Sequence, residues 1–98
     1  QNSCKDYYEN TVGILRQGSL DYPDNLDLII YRGIIYKELE NYERALEMAN
    51  YILAISDNIG EAYLLRAQIY EAMGDIEKSQ SDKKLAVDKS EILNKFGI

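Results

Sequence analysis

Apolar residues recur along the chain at intervals of three and four, the spacing of one helical face. Leu28, Ile29, Ile35, Tyr36 and Leu39 follow it, and so do Ala45, Leu46, Ala49, Ile52 and Leu53. Tyr8, Val12 and Leu15 make a shorter face upstream, which Gly18 is expected to stop as a helix C-terminal glycine. No alternating apolar run is bounded by hairpin turns, so no strand is expected. The pattern predicts an all-α chain of five consecutive antiparallel helices.

Polar residues punctuate these faces. Asp24 or Asn25 is placed to cap a helix whose first turn holds Asp27. Turns are expected at Glu40-Asn41 and Gly74-Asp75, with Asn41 and Asp75 capping the helices that follow, near 42–55 and from Ile76. Asn58, three residues before Glu61, looks like the start of a capping box. Such short turns leave room only for antiparallel neighbours.

The same phrase occurs twice. RGIIYKELENYERAL begins at Arg32 and RAQIYEAMGDIEKSQ at Arg66. Aligning residues 26–59 with 60–93 pairs Arg32, Ile35, Tyr36, Glu43 and Ser56 with Arg66, Ile69, Tyr70, Glu77 and Ser90 as identities. Small residues sit where helices must approach closely: Gly33 and Ala67 on the first helix of each pair, Ala45 and Ser79 on the second. Gly33 costs about 0.5–1 kcal/mol inside a helix relative to alanine, and a close contact near Ala45 is the expected compensation.

The repeat resembles the tetratricopeptide repeat, a helix–turn–helix of about 34 residues. The family's motif places are held by Ile29, Arg32, Gly33, Tyr36, Ala45, Ala49 and Asp57, then by Tyr63, Arg66, Ala67, Tyr70, Ser79, Lys83 and Glu91. Arginine replaces leucine in both copies, and the phenylalanine and proline places have changed. Thr11, Leu15 and Pro23 continue the register backwards. The resemblance implies one domain: a partial repeat over 5–25, full repeats over 26–59 and 60–93, and a tail over 94–98. It implies a short superhelix of stacked helical hairpins.

Composition narrows the functions. The net charge is −6, which disfavours nucleic acid and anionic membranes as partners. No apolar run approaches the ~18–20 residues that span a bilayer. There is no histidine and one cysteine, so the commonest general base and a zinc cluster are both missing. No Gly-rich phosphate loop is present. Residues 21–27 make a poor calcium loop, with Arg32 where a bidentate glutamate belongs. The expectation is a non-enzyme with no cofactor, no metal and no catalytic residues. Localisation stays open. Cytoplasmic is the default, and Cys4 near a start at Gln1 keeps an exported or lipid-anchored protein as the alternative.

Nine tyrosines raise the question of a binding surface. Tyr36, Tyr42, Tyr63 and Tyr70 fall on packing positions and are expected in the core. Ser79-Gln80-Ser81-Asp82-Lys83-Lys84 is polar nearly all round, as the outer face of a terminal repeat. Leu85, Val87, Ile92, Leu93 and Phe96 would fold back as an extended or separate capping helix.

In this family the first helix of each pair lines a concave groove that takes a partner. Projected here, the stripe is Asp27, Ile30, Ile34, Lys37 and Glu38, then Glu61, Leu64, Gln68, Glu71 and Ala72. The lysine–asparagine clamp by which some relatives hold a terminal carboxylate is absent: Ile30, Ile34, Leu64 and Gln68 stand there. The implied role is an acidic scaffold that binds a peptide or helix of a protein partner. The alternative is a structural or self-associating end of a longer array, forming homo-oligomers through the same patch.

Overall fold

The computed structural model describes residues 3–95, with side chains from 5 to 89. Five helices follow one another: α1 (Ser3–Asp21), α2 (Leu26–Glu38), α3 (Tyr42–Ile55), α4 (Gly60–Met73) and α5 (Ile76–Lys95). Among the described residues there is no strand, and each helix packs on the next as stacked antiparallel hairpins. The radius of gyration is 14.2 Å, against about 13 Å for a compact domain of this length, as expected of a flat stack.

Local chemistry sets most helix ends. The Asn25 side chain accepts from the Asp27 N–H at 3.1 Å, Asn41 from Arg44 at 3.3 Å and Asp75 from Lys78 at 3.2 Å. These side chains satisfy donors that a helix N-terminus leaves orphaned. The two inter-helix turns close alike, with the Asn41 N–H donating to the Tyr36 carbonyl and the Asp75 N–H to that of Tyr70. Both need a left-handed residue, Glu40 at φ 62° in one and Gly74 at φ 89° in the other.

Two expected ends are different. α4 begins after Ile59, one residue beyond Asn58, and has no side-chain cap. The Asn58 side-chain Oδ1 accepts from Lys89 Nζ of α5 at 3.3 Å instead. Gly18 does not stop α1, which continues to Asp21. Its φ is not positive, and its small size serves packing: a Cβ there would lie 3.2 Å from Leu28 Cδ1 of α2.

The core is built where small residues meet large ones. Ala45, Ala49, Ile52, Ala62, Ala67 and Ile69 are fully enclosed. Val12, Tyr36, Ala45, Ala49, Leu65 and Ile69 form one cluster, and Ile29, Ile52 and Ala62 another. Met48 packs against both. Burying Ile52 alone is worth about 1.5–3 kcal/mol. The expected close approach at Gly33 exists, but its nearest neighbours are Leu65 and Met48 rather than Ala45. A Cβ at Gly33 would lie 2.7 Å from Leu65 Cδ2 and 3.3 Å from Met48 Cβ, so this glycine lets α2 reach α3 and α4 together.

Tyr36 and Tyr63 are buried and Tyr42 and Tyr70 half-buried, as their repeat places predict. The polar run in α5 differs from expectation. Ser79 and Asp82 are buried, so one side of that run faces the stack. α5 runs unbroken for 20 residues, with Leu85 and Val87 exposed and Ala86 buried. The expectations about the Cys4 thiol, and about Ile92, Leu93 and Phe96 as a cap, lie outside the described residues.

Candidate functional site

The stripe implied by the tetratricopeptide resemblance lies on α2 and α4. These helices touch directly, through Leu65 of α4 against Gly33 of α2. Ile34 and Leu64 are the chain neighbours of that contacting pair. Neither is enclosed: Ile34 is 37% exposed and Leu64 45%. Ile30 is half-buried against the Ile29, Ile52 and Ala62 cluster. Gln68 and Ala72 are exposed.

Charge on this stripe is mainly negative. Asp27, Glu38, Glu61 and Glu71 are all exposed. The half-buried Lys37 pairs with Glu38 at 3.4 Å, and Glu71 meets Lys83 of α5 at 3.6 Å. Both pairs are open to water and worth little energetically. Asp27 and Glu61 form no ion pair with any described residue. The stripe is therefore an apolar seam with carboxylates beside it.

The best-built polar cluster lies elsewhere. Arg66 of α4 reaches between α3 and α5. Its Nε donates to Asp82 Oδ2 and its Nη2 to Asp82 Oδ1, each at 2.8 Å, while Nη1 donates to Asn50 Oδ1 at 2.9 Å. The guanidinium also lies 5.6 Å from the centre of the Tyr63 ring. The Asp82 hydrogen bonds hold the Arg66 pKa above the ordinary arginine value, against the opposing effect of burial. This bidentate pair ties α4 to α5, and Asn50 extends it to α3.

Sequence reasoning marked Arg32 and Arg66 as replacing the family's leucine but missed what they do. A charged side chain at an apolar place, repeated in both copies, was the available signal. Asp82 was hidden in a run that looked like a solvated surface. Among the described residues, no group of three or more His, Cys, Asp or Glu side chains is placed to hold a metal ion, and no helix is long and apolar enough to cross a membrane. Compared with models of protein families and with curated proteins, the chain matches none.

Proposed function

We propose that the chain is a non-catalytic interaction module of the tetratricopeptide type, binding a basic amphipathic helix of a protein partner along α2 and α4. The observation that carries this reading is the pair of exposed aliphatic side chains, Ile34 and Leu64, beside the α2–α4 contact. A partner's apolar residues would cover them. The carboxylates of Asp27, Glu38, Glu61 and Glu71 favour lysine or arginine on the flanks. Helix-in-groove recognition has this form, with apolar anchors and a charged rim.

The test is a nuclear magnetic resonance titration with two synthetic amphipathic helices, one of leucine and lysine and one of leucine and glutamate. The lysine peptide should shift the amides around Ile34 and Leu64 and bind more weakly as salt rises, and the glutamate peptide should have no effect. Ile34→Glu should remove the response while leaving the thermal melt within a few degrees of the parent, as expected of a substitution at a partly exposed site. Equal binding of both peptides, or shifts confined to other helices, would overturn the reading. So would a concentration-dependent mass of the unliganded protein that Ile34→Glu abolishes, because a second copy would then occupy the stripe.

A further inference from the structure

The two repeats place an arginine at the same point and treat it differently. Arg66 meets Asp82 sixteen residues on and Asn50 sixteen residues back. The same offsets from Arg32 lead to Met48 on α3 and Arg16 on α1. Tyr63, under the Arg66 guanidinium, is matched by Ile29. Each of the three supports is thus replaced, the carboxylate by a thioether, the amide by a second cation and the aromatic ring by an aliphatic chain.

The result is an unmatched cation in an open cleft. Arg32 is half-buried and its Nε is enclosed without a hydrogen-bond partner, Arg16 is exposed, and neither forms an ion pair with any described residue. A guanidinium cannot shed its proton to relieve this. The cleft measures about 620 Å³, and Arg16, Arg32 and Ser19 border it together with Leu20, Ile29, Met48 and Tyr51. Ser19 Oγ is likewise buried without a partner. Glu47 also lines the cleft, but its carboxylate is 3.7 Å from Arg44. Two orphaned donors and a free second cation therefore share one largely apolar space.

We propose that this cleft between α1 and α3 binds a small-molecule monocarboxylate with an apolar body, its carboxylate held by Arg32. Asp82 shows what an arginine at this place of the repeat accepts: two oxygens of one carboxylate, bidentate. Arg16 adds a second positive charge at the mouth, and Ser19 offers a hydroxyl donor. Leu20, Ile29, Met48 and Tyr51 cover the apolar body. The volume lies within the range of about 300–1,000 Å³ typical of small-ligand sites. The site uses none of the ten residues of the α2–α4 stripe, so it stands or falls independently of the peptide-binding reading.

Octanoate is the probe, with octan-1-ol and octylammonium as controls, followed by amide chemical shifts. Octanoate should shift residues around Ser19, Arg32 and Met48, and each control should bind at least tenfold more weakly. Arg32→Met should lower octanoate affinity at least tenfold. Met48→Asp supplies the carboxylate that Arg66 already has, and it should abolish octanoate binding. An unchanged amide spectrum over α4 and α5 separates a filled site from a damaged fold, because Met48 also packs against the core. Equal binding of octanol would show an apolar cleft without carboxylate recognition and overturn the proposal, as would no octanoate binding at all. Met48→Asp that keeps its fold and binds octanoate undiminished would overturn it too. Tighter binding of an apolar tripeptide acid than of octanoate would assign the cleft to a chain terminus and end the small-molecule reading.

Discussion

The hairpins α2–α3 and α4–α5 share a register, a turn and a helix order, yet they are finished to different degrees. In the second, Arg66 is held by Asp82, Asn50 and Tyr63, and a glycine occupies the left-handed turn position. In the first, Arg32 lacks those supports, and the left-handed position is held by Glu40. The backbone pattern needs only apolar spacing and a capped turn, which both copies have, with Asn41 capping α3 and Asp75 capping α5. The interhelical ion pair and the strain-free turn are separate additions, and only the second copy has them.

The largest test of this contrast is Asp82→Ala. It leaves the Arg66 guanidinium without its carboxylate between three helices. Removing one partner of a buried pair costs about 3–5 kcal/mol. The Arg66 side chain is 23% exposed and Asp82 5%, so water recovers part of that, and a loss of about 2–4 kcal/mol in urea unfolding is expected. The matched change Arg32→Met should cost far less, because no described partner is lost. If the two variants melt alike, the difference between the hairpins is one of appearance only.

Next comes the small-residue place that the copies fill as Gly33 and Ala67. Gly33→Ala adds a methyl 2.7 Å from Leu65 Cδ2 and 3.3 Å from Met48 Cβ. Leu65 is itself 3% exposed and has little room to move. Overpacking of about 1–3 kcal/mol should outweigh the helix-propensity gain of up to about 1 kcal/mol, a net loss measurable by thermal melting. A stabilised variant would mean that Leu65 repacks freely and that the α2–α4 contact is loose.

The smallest expected effect is at the turns. Glu40→Gly should stabilise by roughly 0.5–1 kcal/mol, because a left-handed conformation costs a non-glycine residue about 1–2 kcal/mol and glycine's extra unfolded-state freedom returns part of that. Gly74→Ala should lose about 1 kcal/mol by the same reasoning. No atom outside its immediate neighbours lies within 4 Å of a Cβ at Gly74, so any loss there comes from φ alone. Glu40→Gly without a gain in urea midpoint would show that the Glu40 side chain has a compensating role.

Helix positions and most of their ends were legible in the residues. α3 spans Tyr42–Ile55, Asn25, Asn41 and Asp75 cap as their spacing implied, and the apolar faces of α2 and α3 point inward. These features depend on groups within one or two helical turns of each other, so a single segment carries the signal. The misread positions share a different dependence. Gly18 answers to Leu28 of the next helix, Gly33 to Leu65 two helices on, Asn58 to Lys89, and Asp82 to Arg66. In the candidate stripe, Ile34 and Leu64 are exposed beside the contact of Gly33 with Leu65, which neither helix shows alone.

By itself the sequence determined that the chain is helical, where its helices turn and that two of its hairpins repeat. Periodicity, caps and left-handed turn places act over a few residues and survive in a one-dimensional reading. Only the tertiary structure decided which polar side chains are satisfied. The same arginine in the same register is clamped by Asp82 in one hairpin and left beside Met48 and Arg16 in the other. A half-buried guanidinium is settled by whatever charge and volume the neighbouring helices bring to it, and those arrive only when the helices stack.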